Sequence, residues 1–112
     1  MEAVLRALAD ESRRTLLETL ARGPATAGEL AALLPIARPG VSRHLRILND
    51  AGFVRVRADG ARRLYALRAE PFRELDAWIS RYRALWEARL DRLAVELERR
   101  KTAPINPKEK KR

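Results

Sequence analysis

The stretch of residues 38–68 constrains the fold most, because a helical pattern leads directly into a hairpin pattern and both are basic. It contains eight arginines against two acidic residues. In Ala37–Leu48 (ARPGVSRHLRIL), Val41, Leu45 and Leu48 recur at i, i+4 and i+7. This is the spacing of one buried helical face. The opposite face carries side chains that can hydrogen-bond phosphates or base edges: Arg38, Ser42, Arg43, Arg46 and Asn49.

Two alternating segments follow this helix and predict a β-hairpin. The segments are Phe53–Arg57 (FVRVR) and Arg63–Arg68 (RLYALR), with an Asp59-Gly60 turn between them. An Asp-Gly pair between alternating segments is a strong hairpin signal. A basic helix followed by a basic hairpin is typical of a winged helix-turn-helix, so the pattern predicts DNA binding.

Three shorter helices are predicted before the basic helix. Asp10 is placed as the N-cap of the second, and Thr26 with Glu29 forms a capping-box pattern at the start of the third. A short turn separates the third helix, whose apolar face is Leu30, Leu33 and Leu34, from the basic helix. In this arrangement the second helix of the pair enters the major groove of DNA. The predicted ranges are Glu2–Ala9, Glu11–Ala21 and Ala27–Leu34, with the basic helix beginning near Pro39.

A long helix is predicted after the hairpin, over roughly Pro71–Arg100. Thirty residues at ~1.5 Å each span about 45 Å, more than a small core can cover. Its apolar residues step by three or four, as in a coiled coil, and would otherwise leave both tryptophans in water. We therefore expect two chains to pair through it; the alternative is a helix that folds back on its own domain. The expected interface residues are Leu75, Trp78, Ile79, Tyr82, Trp86, Leu90 and Leu93.

Length and charge predict one domain and a polyanionic partner. Residues 1–100 are expected to form a single mainly helical α+β domain, and residues 101–112, which are rich in Pro and Lys, a disordered basic tail. Of the net charge of +9, residues 38–69 carry +6 and the tail +4. A nucleic acid explains this concentration better than a solvated basic surface does. Because neither a membrane span nor a signal-peptide pattern is found, cytoplasm is the expected location.

The predicted DNA contacts divide into base readers and phosphate binders. Arg43 is the first choice for a guanine contact, with Ser42 beside it and Arg38 and Arg46 flanking it. His44 lies one position from the exposed face, so it either contacts the DNA backbone or hydrogen-bonds within the helix pair. Tyr65 is expected to pack under the hairpin with its hydroxyl exposed. In the hairpin, phosphates or the minor groove are expected to be contacted by Arg57, Arg62 and Arg63.

Catalysis and metal binding are not expected. The sequence has no cysteine and one histidine, and it contains no glycine-rich phosphate loop. His44 with scattered carboxylates is a poor set of metal ligands. We therefore predict neither an enzyme nor a cofactor.

Four segments of the sequence match the pattern of a known family: Leu8–Leu16 (LADESRRTL), Gly28–Leu34 (GELAALL), Val41–Leu48 (VSRHLRIL) and Asn49–Arg57 (NDAGFVRVR). Through them the chain resembles the ArsR/SmtB family of winged helix-turn-helix regulators over about residues 3–100. The resemblance implies homodimers that pair through their first and last helices, which adds Leu5 to the expected interface. It also implies repression at palindromic operators.

The departures from the family pattern concern metal sensing. Metal-sensing members carry cysteines in the segment that matches Thr26–Leu30, and others bind zinc through Asp and His on the last helix. This chain has neither the cysteines nor a histidine there. It is similar to the metal-independent branch, whose last helix reads much like Phe72–Leu93. Ala37 replaces a serine that is common in this branch, which implies a weaker N-cap for the basic helix.

Two other functions remain open from the sequence. A winged helix can serve as a protein-interaction module, and a basic tail suits a nonspecific architectural DNA-binding protein. The effector and the target operator are not encoded in any motif.

Overall fold

The order of elements is that of a winged helix-turn-helix with an extended last helix, which confirms the predicted fold class. The computed structural model describes residues 1–102, so most of the predicted tail (103–112) lies outside the described residues. The chain divides into two compact units, the first of which is Met1–Asp76. The elements are α1 (Glu2–Leu8), α2 (Glu11–Leu20), β1 (Ala25–Thr26), α3 (Ala27–Ala31), α4 (Arg38–Asp50), β2 (Val54–Asp59), β3 (Arg62–Leu67) and α5 (Glu70–Thr102).

The core of the first unit is formed by the apolar faces of α1–α4 and the inner face of the sheet. As predicted, α4 buries Val41, Leu45 and Leu48. Phe53 is fully buried directly after α4, and its ring meets Phe72 edge to face at a centroid distance of 5.1 Å. These contacts hold the basic helix and the hairpin in one arrangement, because both attach to the same core.

The third helix is shorter than predicted. It ends at Ala31, and the next turn is tightened by backbone hydrogen bonds from Leu33 to Leu30 (3.2 Å) and from Leu34 to Ala31 (3.4 Å). The tighter turn rotates Leu33 out of the apolar face, and its side chain is 50% exposed. The prediction that Leu33 contributes to this buried face is therefore wrong, whereas Leu30 and Leu34 are buried.

The sheet has three antiparallel strands in the order β1-β3-β2. The hairpin is confirmed, but its loop is Gly60-Ala61 rather than Asp59-Gly60, because Asp59 pairs with Arg62. Gly60 has a φ of +64°, which suits the first loop position of a type II′ turn. The two-residue strand β1 pairs Ala25 with Tyr65 and was not predicted.

Side chains cap two helices as predicted. The carboxylate of Asp10 accepts a hydrogen bond from the backbone N–H of Arg13 (3.0 Å) at the start of α2. At the start of α3, the Glu29 carboxylate accepts from the Thr26 N–H (3.0 Å) and the Thr26 hydroxyl accepts from the Glu29 N–H (3.2 Å). The hydrogen bond from the Thr26 N–H holds the pKa of Glu29 below its ordinary value of 4.5, with further lowering by the Thr26 hydroxyl.

The capping box predicts a pH-dependent stability. Because the pKa of Glu29 is lower in the folded chain, its carboxylate stabilises the fold above its ordinary pKa of 4.5, and this contribution is lost as the pH falls. We expect Glu29→Gln to lower the Tm near neutral pH. The difference in Tm from the parent protein should shrink as the pH falls below 4.5. Thermal denaturation followed by circular dichroism measures this. Glu18→Gln, at an exposed position of α2, is the control. A Tm difference that stays constant down to strongly acidic pH would contradict the prediction.

The long helix α5 begins one residue before and ends two residues after the predicted range. Its first turns belong to the first unit, where Leu75 packs against the core. Beyond residue 76 its apolar side chains are exposed or half-buried, and the rings of Trp78 and Tyr82 are in contact at a centroid distance of 4.9 Å and an interplanar angle of 59°. Within residues 1–102, no helix is apolar over enough of its length to cross a membrane.

Candidate DNA-binding surface

The helix α4 presents a polar face opposite its buried one. Ala37 provides no side-chain cap, as its replacement of serine predicts, and Pro39 lies in the first turn, where the missing N–H costs no helical hydrogen bond. All five residues predicted for the polar face are exposed: Arg38, Ser42, Arg43, Arg46 and Asn49.

A groove of about 340 Å³ runs between α4 and the hairpin. Ser42, Arg46 and Asn49 line it from the helix, and Arg63 and Tyr65 line it from the strands. Its walls therefore carry hydroxyl, amide and guanidinium groups, which suit phosphate oxygens and base edges. Arg43 does not line this groove, and its exposed side chain lies further round the helix.

A second groove, of about 420 Å³, lies at the tip of the hairpin. Arg38, from the start of α4, lines it together with Arg62 and Arg63. The Arg38 Nη2 atom is 3.9 Å from the position that a Cβ atom on Gly28 would occupy. Arg62 also forms an exposed ion pair with Asp59 (3.2 Å), a type of pair that contributes little to stability. Three guanidinium groups thus surround one concave surface, an arrangement that favours phosphate.

The other predicted hairpin contact, Arg57, lies on the outer face of the sheet. Because side chains alternate along β2, Arg57 and Arg55 point away from the face that carries Val56. They line a separate groove of about 190 Å³ together with Pro24 and Leu64. The structure thus brings Arg38, Arg62 and Arg63 together and leaves Arg57 apart from them.

The side chain of His44, a residue of α4, lies between that helix and the start of α2. Its side chain is 18% exposed, with Nδ1 3.2 Å from Nη1 of Arg13 and 3.9 Å from Oδ2 of Asp10. His44 was expected to contact the DNA backbone or to hydrogen-bond within the helix-turn-helix pair; its hydrogen bond is between helices, but the partner belongs to α2 and not to α3. A contact with the DNA backbone stays a prediction. The hydrogen bond from the backbone N–H of Arg13 lowers the pKa of Asp10, and the positive charge of the Arg13 guanidinium lowers it further.

Two groove residues stand outside the predicted contact set. Asn49 belongs to the polar face of α4 but was not assigned a contact, because recognition helices read mostly with their N-terminal residues. Tyr65 is buried, as predicted, and still lines the groove. The signal for Tyr65 is its place in β3 opposite Val56, since paired positions of neighbouring strands face the same side.

The described residues hold no group of three or more His, Cys, Asp or Glu side chains arranged to bind a metal ion.

Comparison with known proteins points to transcriptional regulators. A family model described as a helix-turn-helix domain matches residues 8–57. The chain is 52% identical over 61 residues to the HTH-type transcriptional regulator Rv2034 of Mycobacterium tuberculosis, covering 54% of this chain and 57% of that protein. It is 32% identical over 79 residues to the transcriptional repressor SdpR of Bacillus subtilis, covering 70% of this chain and 88% of that protein.

The chain is similar to a solved structure over nearly the whole length of that structure. The crystal structure of an ArsR family transcriptional regulator is 40% identical to this chain, with a TM-score of 0.73, and the match covers 77% of this chain and 94% of that one. The chain belongs to the ArsR family. This ArsR-family chain nevertheless spans only about half the length of two curated relatives, 57% of Rv2034 and 50% of a probable mercury resistance operon repressor of Streptomyces lividans.

Proposed function

We propose that this ArsR-family chain is a sequence-specific DNA-binding regulator that acts as a homodimeric repressor at a palindromic operator, without metal sensing. The observation that carries the proposal is the polar face of α4, which is exposed and meets the arginine-bearing hairpin across a groove. A helix of this kind enters the major groove while the hairpin follows the DNA backbone. The net charge of +6 over residues 38–69 favours the same polyanion.

The residues are assigned different tasks. Arg43 points away from the protein groove and is free to pair bidentately with a guanine, and Ser42 reads or anchors beside it. Arg38, Arg46, Arg62 and Arg63 bind phosphates, which fixes the register of α4 on the duplex. Contacts by Arg57 and His44 with the DNA backbone are secondary parts of the proposal, because neither residue lines the two grooves that the arginines share.

Dimerisation is supported by the apolar face of α5. Trp86 and Leu90 are 59% and 55% exposed in the single chain, which is unusual for such large apolar side chains. A two-fold dimer would cover them and present two copies of α4 to two half-sites, so the operator would be palindromic. Repression is inferred from SdpR, which is named a transcriptional repressor. The proposed interface includes, besides these two, Leu5, Leu75, Trp78, Ile79, Tyr82 and Leu93.

Fluorescence anisotropy tests the proposal. A duplex from the region upstream of this chain's own coding sequence is compared with a scrambled duplex of equal composition across a salt series. We expect a preference of about 10³ or more for the upstream duplex, with affinity falling steeply as salt rises. If both duplexes bind equally, a set of duplexes selected from random sequence decides between a regulator of another promoter and an architectural protein. An absence of binding to any duplex favours a protein-interaction module and contradicts the proposal.

A further inference from the structure

Arg13 connects three helices through one side chain. Its Nε donates to the carbonyl oxygen of Ala7 (2.7 Å) and its Nη2 to that of Arg6 (3.0 Å), both in the last turn of α1. Its Nη1 lies 3.2 Å from Nδ1 of His44 on α4. The planar guanidinium thereby satisfies the Ala7 carbonyl and shares the Arg6 carbonyl with the backbone N–H of Ala9 (3.2 Å), while its remaining edge faces the basic helix.

This contact determines the tautomer of His44. A guanidinium group has only donors, so the imidazole nitrogen that meets it must accept. Nδ1 is therefore unprotonated, and the proton of the neutral ring is on Nε2. Asp10 does not compete, because its Oδ2 is 3.9 Å from Nδ1, beyond hydrogen-bond distance.

The second ring nitrogen remains available. In residues 1–102 the imidazole takes part in one hydrogen bond, that with Arg13, and no buried side-chain nitrogen or oxygen lacks a partner. Nε2 consequently reaches solvent as an N–H donor. It does so from α4, the helix proposed to lie in the major groove, on the flank that faces α2.

We propose that Arg13 is a positioning residue for DNA binding: it holds His44 as the Nε2–H tautomer, so that this N–H donates to a phosphate of the DNA backbone. The phosphate contact rests on the proposed function, whereas the tautomer does not. Arg13 itself touches no DNA. It acts by fixing the ring nitrogen that faces outward and the rotation of the ring.

Nuclear magnetic resonance measures the tautomer directly, because His44 is the chain's single histidine. Long-range ¹⁵N–¹H correlation at about pH 8, where a histidine is neutral, assigns the proton to one ring nitrogen. We expect one Nε2–H form in the parent protein and a mixture of tautomers in Arg13→Lys, whose compact ammonium group cannot make the contacts of the planar guanidinium. Arg14→Lys is the matched control, because Arg14 donates to the Leu8 carbonyl (2.7 Å) without reaching α4. A ring protonated on Nδ1 in the parent protein would overturn the proposal.

A random-sequence duplex at low salt tests the phosphate contact independently of sequence preference. We expect Arg13→Lys to bind about five- to tenfold more weakly with an unchanged salt slope, and Arg14→Lys to bind within about twofold of the parent protein. His44→Asn tests the same contact independently, in case the Arg13→Lys variant does not fold. Its amide oxygen can still accept from Arg13 but nothing replaces Nε2, so we expect a similar loss.

The two proposals fail differently. If His44→Asn binds the random duplex as tightly as the parent protein, the phosphate contact is wrong while the proposed function stands. If the parent protein binds no DNA, the phosphate contact and the proposed function fail together, and the tautomer measurement still decides whether Arg13 orients His44. Equal tautomer spectra for Arg13→Lys and the parent protein would overturn the positioning role.

Discussion

Trp86→Glu is expected to convert the protein from a dimer into a monomer and to lower operator affinity by at least about a hundredfold. The Trp86 side chain is 59% exposed in the single chain and lies on the same face of α5 as Ile79 and Leu90. In the proposed dimer it would be buried, and a glutamate there would place two uncompensated carboxylates in an apolar interface, at a cost of several kcal/mol. A monomer engages one half-site only, so it loses the gain in affinity from binding two linked sites.

Val95→Glu is the matched control for this variant. Val95 is also 59% exposed, but it lies nine residues from Trp86, which is two and a half turns and thus the opposite side of α5. Sedimentation velocity measures the oligomeric state, and anisotropy measures operator affinity. We expect Val95→Glu to remain dimeric and to bind the operator normally. A dimeric Trp86→Glu, or equal effects of the two substitutions, would show that this face of α5 is not the interface.

The elements around the proposed DNA-binding surface were predictable because their patterns are strong and local. The basic helix combines an apolar i, i+4, i+7 face with flanking turn residues, and the structure has it over Arg38–Asp50. The two hairpin strands alternate clearly, and the long last helix has a periodic apolar face over many turns. Each of these patterns extends over several residues, so small errors in its limits leave the element intact.

Two of the three features that the sequence did not predict depend on distant parts of the chain. Strand β1 has two residues, too few for a pattern, and exists because Ala25 pairs with Tyr65 forty residues later. The shift of the hairpin loop by one residue follows from the pairing of Asp59 with Arg62. The contact between Arg13 and His44 joins residues thirty-one positions apart, and neither residue signals the other locally. Pairing between distant segments determines β1 and the Arg13–His44 contact, whereas the register of the two adjacent strand ends determines the position of the loop.

Arg43→Ala is expected to weaken binding to the operator by roughly 5- to 150-fold, the effect of losing about 1–3 kcal/mol from one bidentate base contact. Binding to a random duplex should fall by only a few-fold. On such a duplex Arg43 meets a matching base less often, so the parent protein gains less from this contact. The ratio between the two duplexes is therefore the informative quantity. Arg22→Ala, an exposed arginine just beyond α2, controls for the loss of one positive charge.

The double variant Arg62→Ala plus Arg63→Ala is expected to act on both duplexes alike. These arginines line the groove at the hairpin tip with Arg38, where a phosphate would be bound irrespective of sequence. Their loss should reduce the slope of log affinity against log salt by about two, close to one for each phosphate contact, and leave the ratio between operator and random duplex nearly unchanged. If Arg43→Ala and the hairpin variant lower both affinities by the same factor, the assignment of base reading to α4 and phosphate binding to the hairpin is wrong, because the two sets of arginines would then serve one electrostatic role.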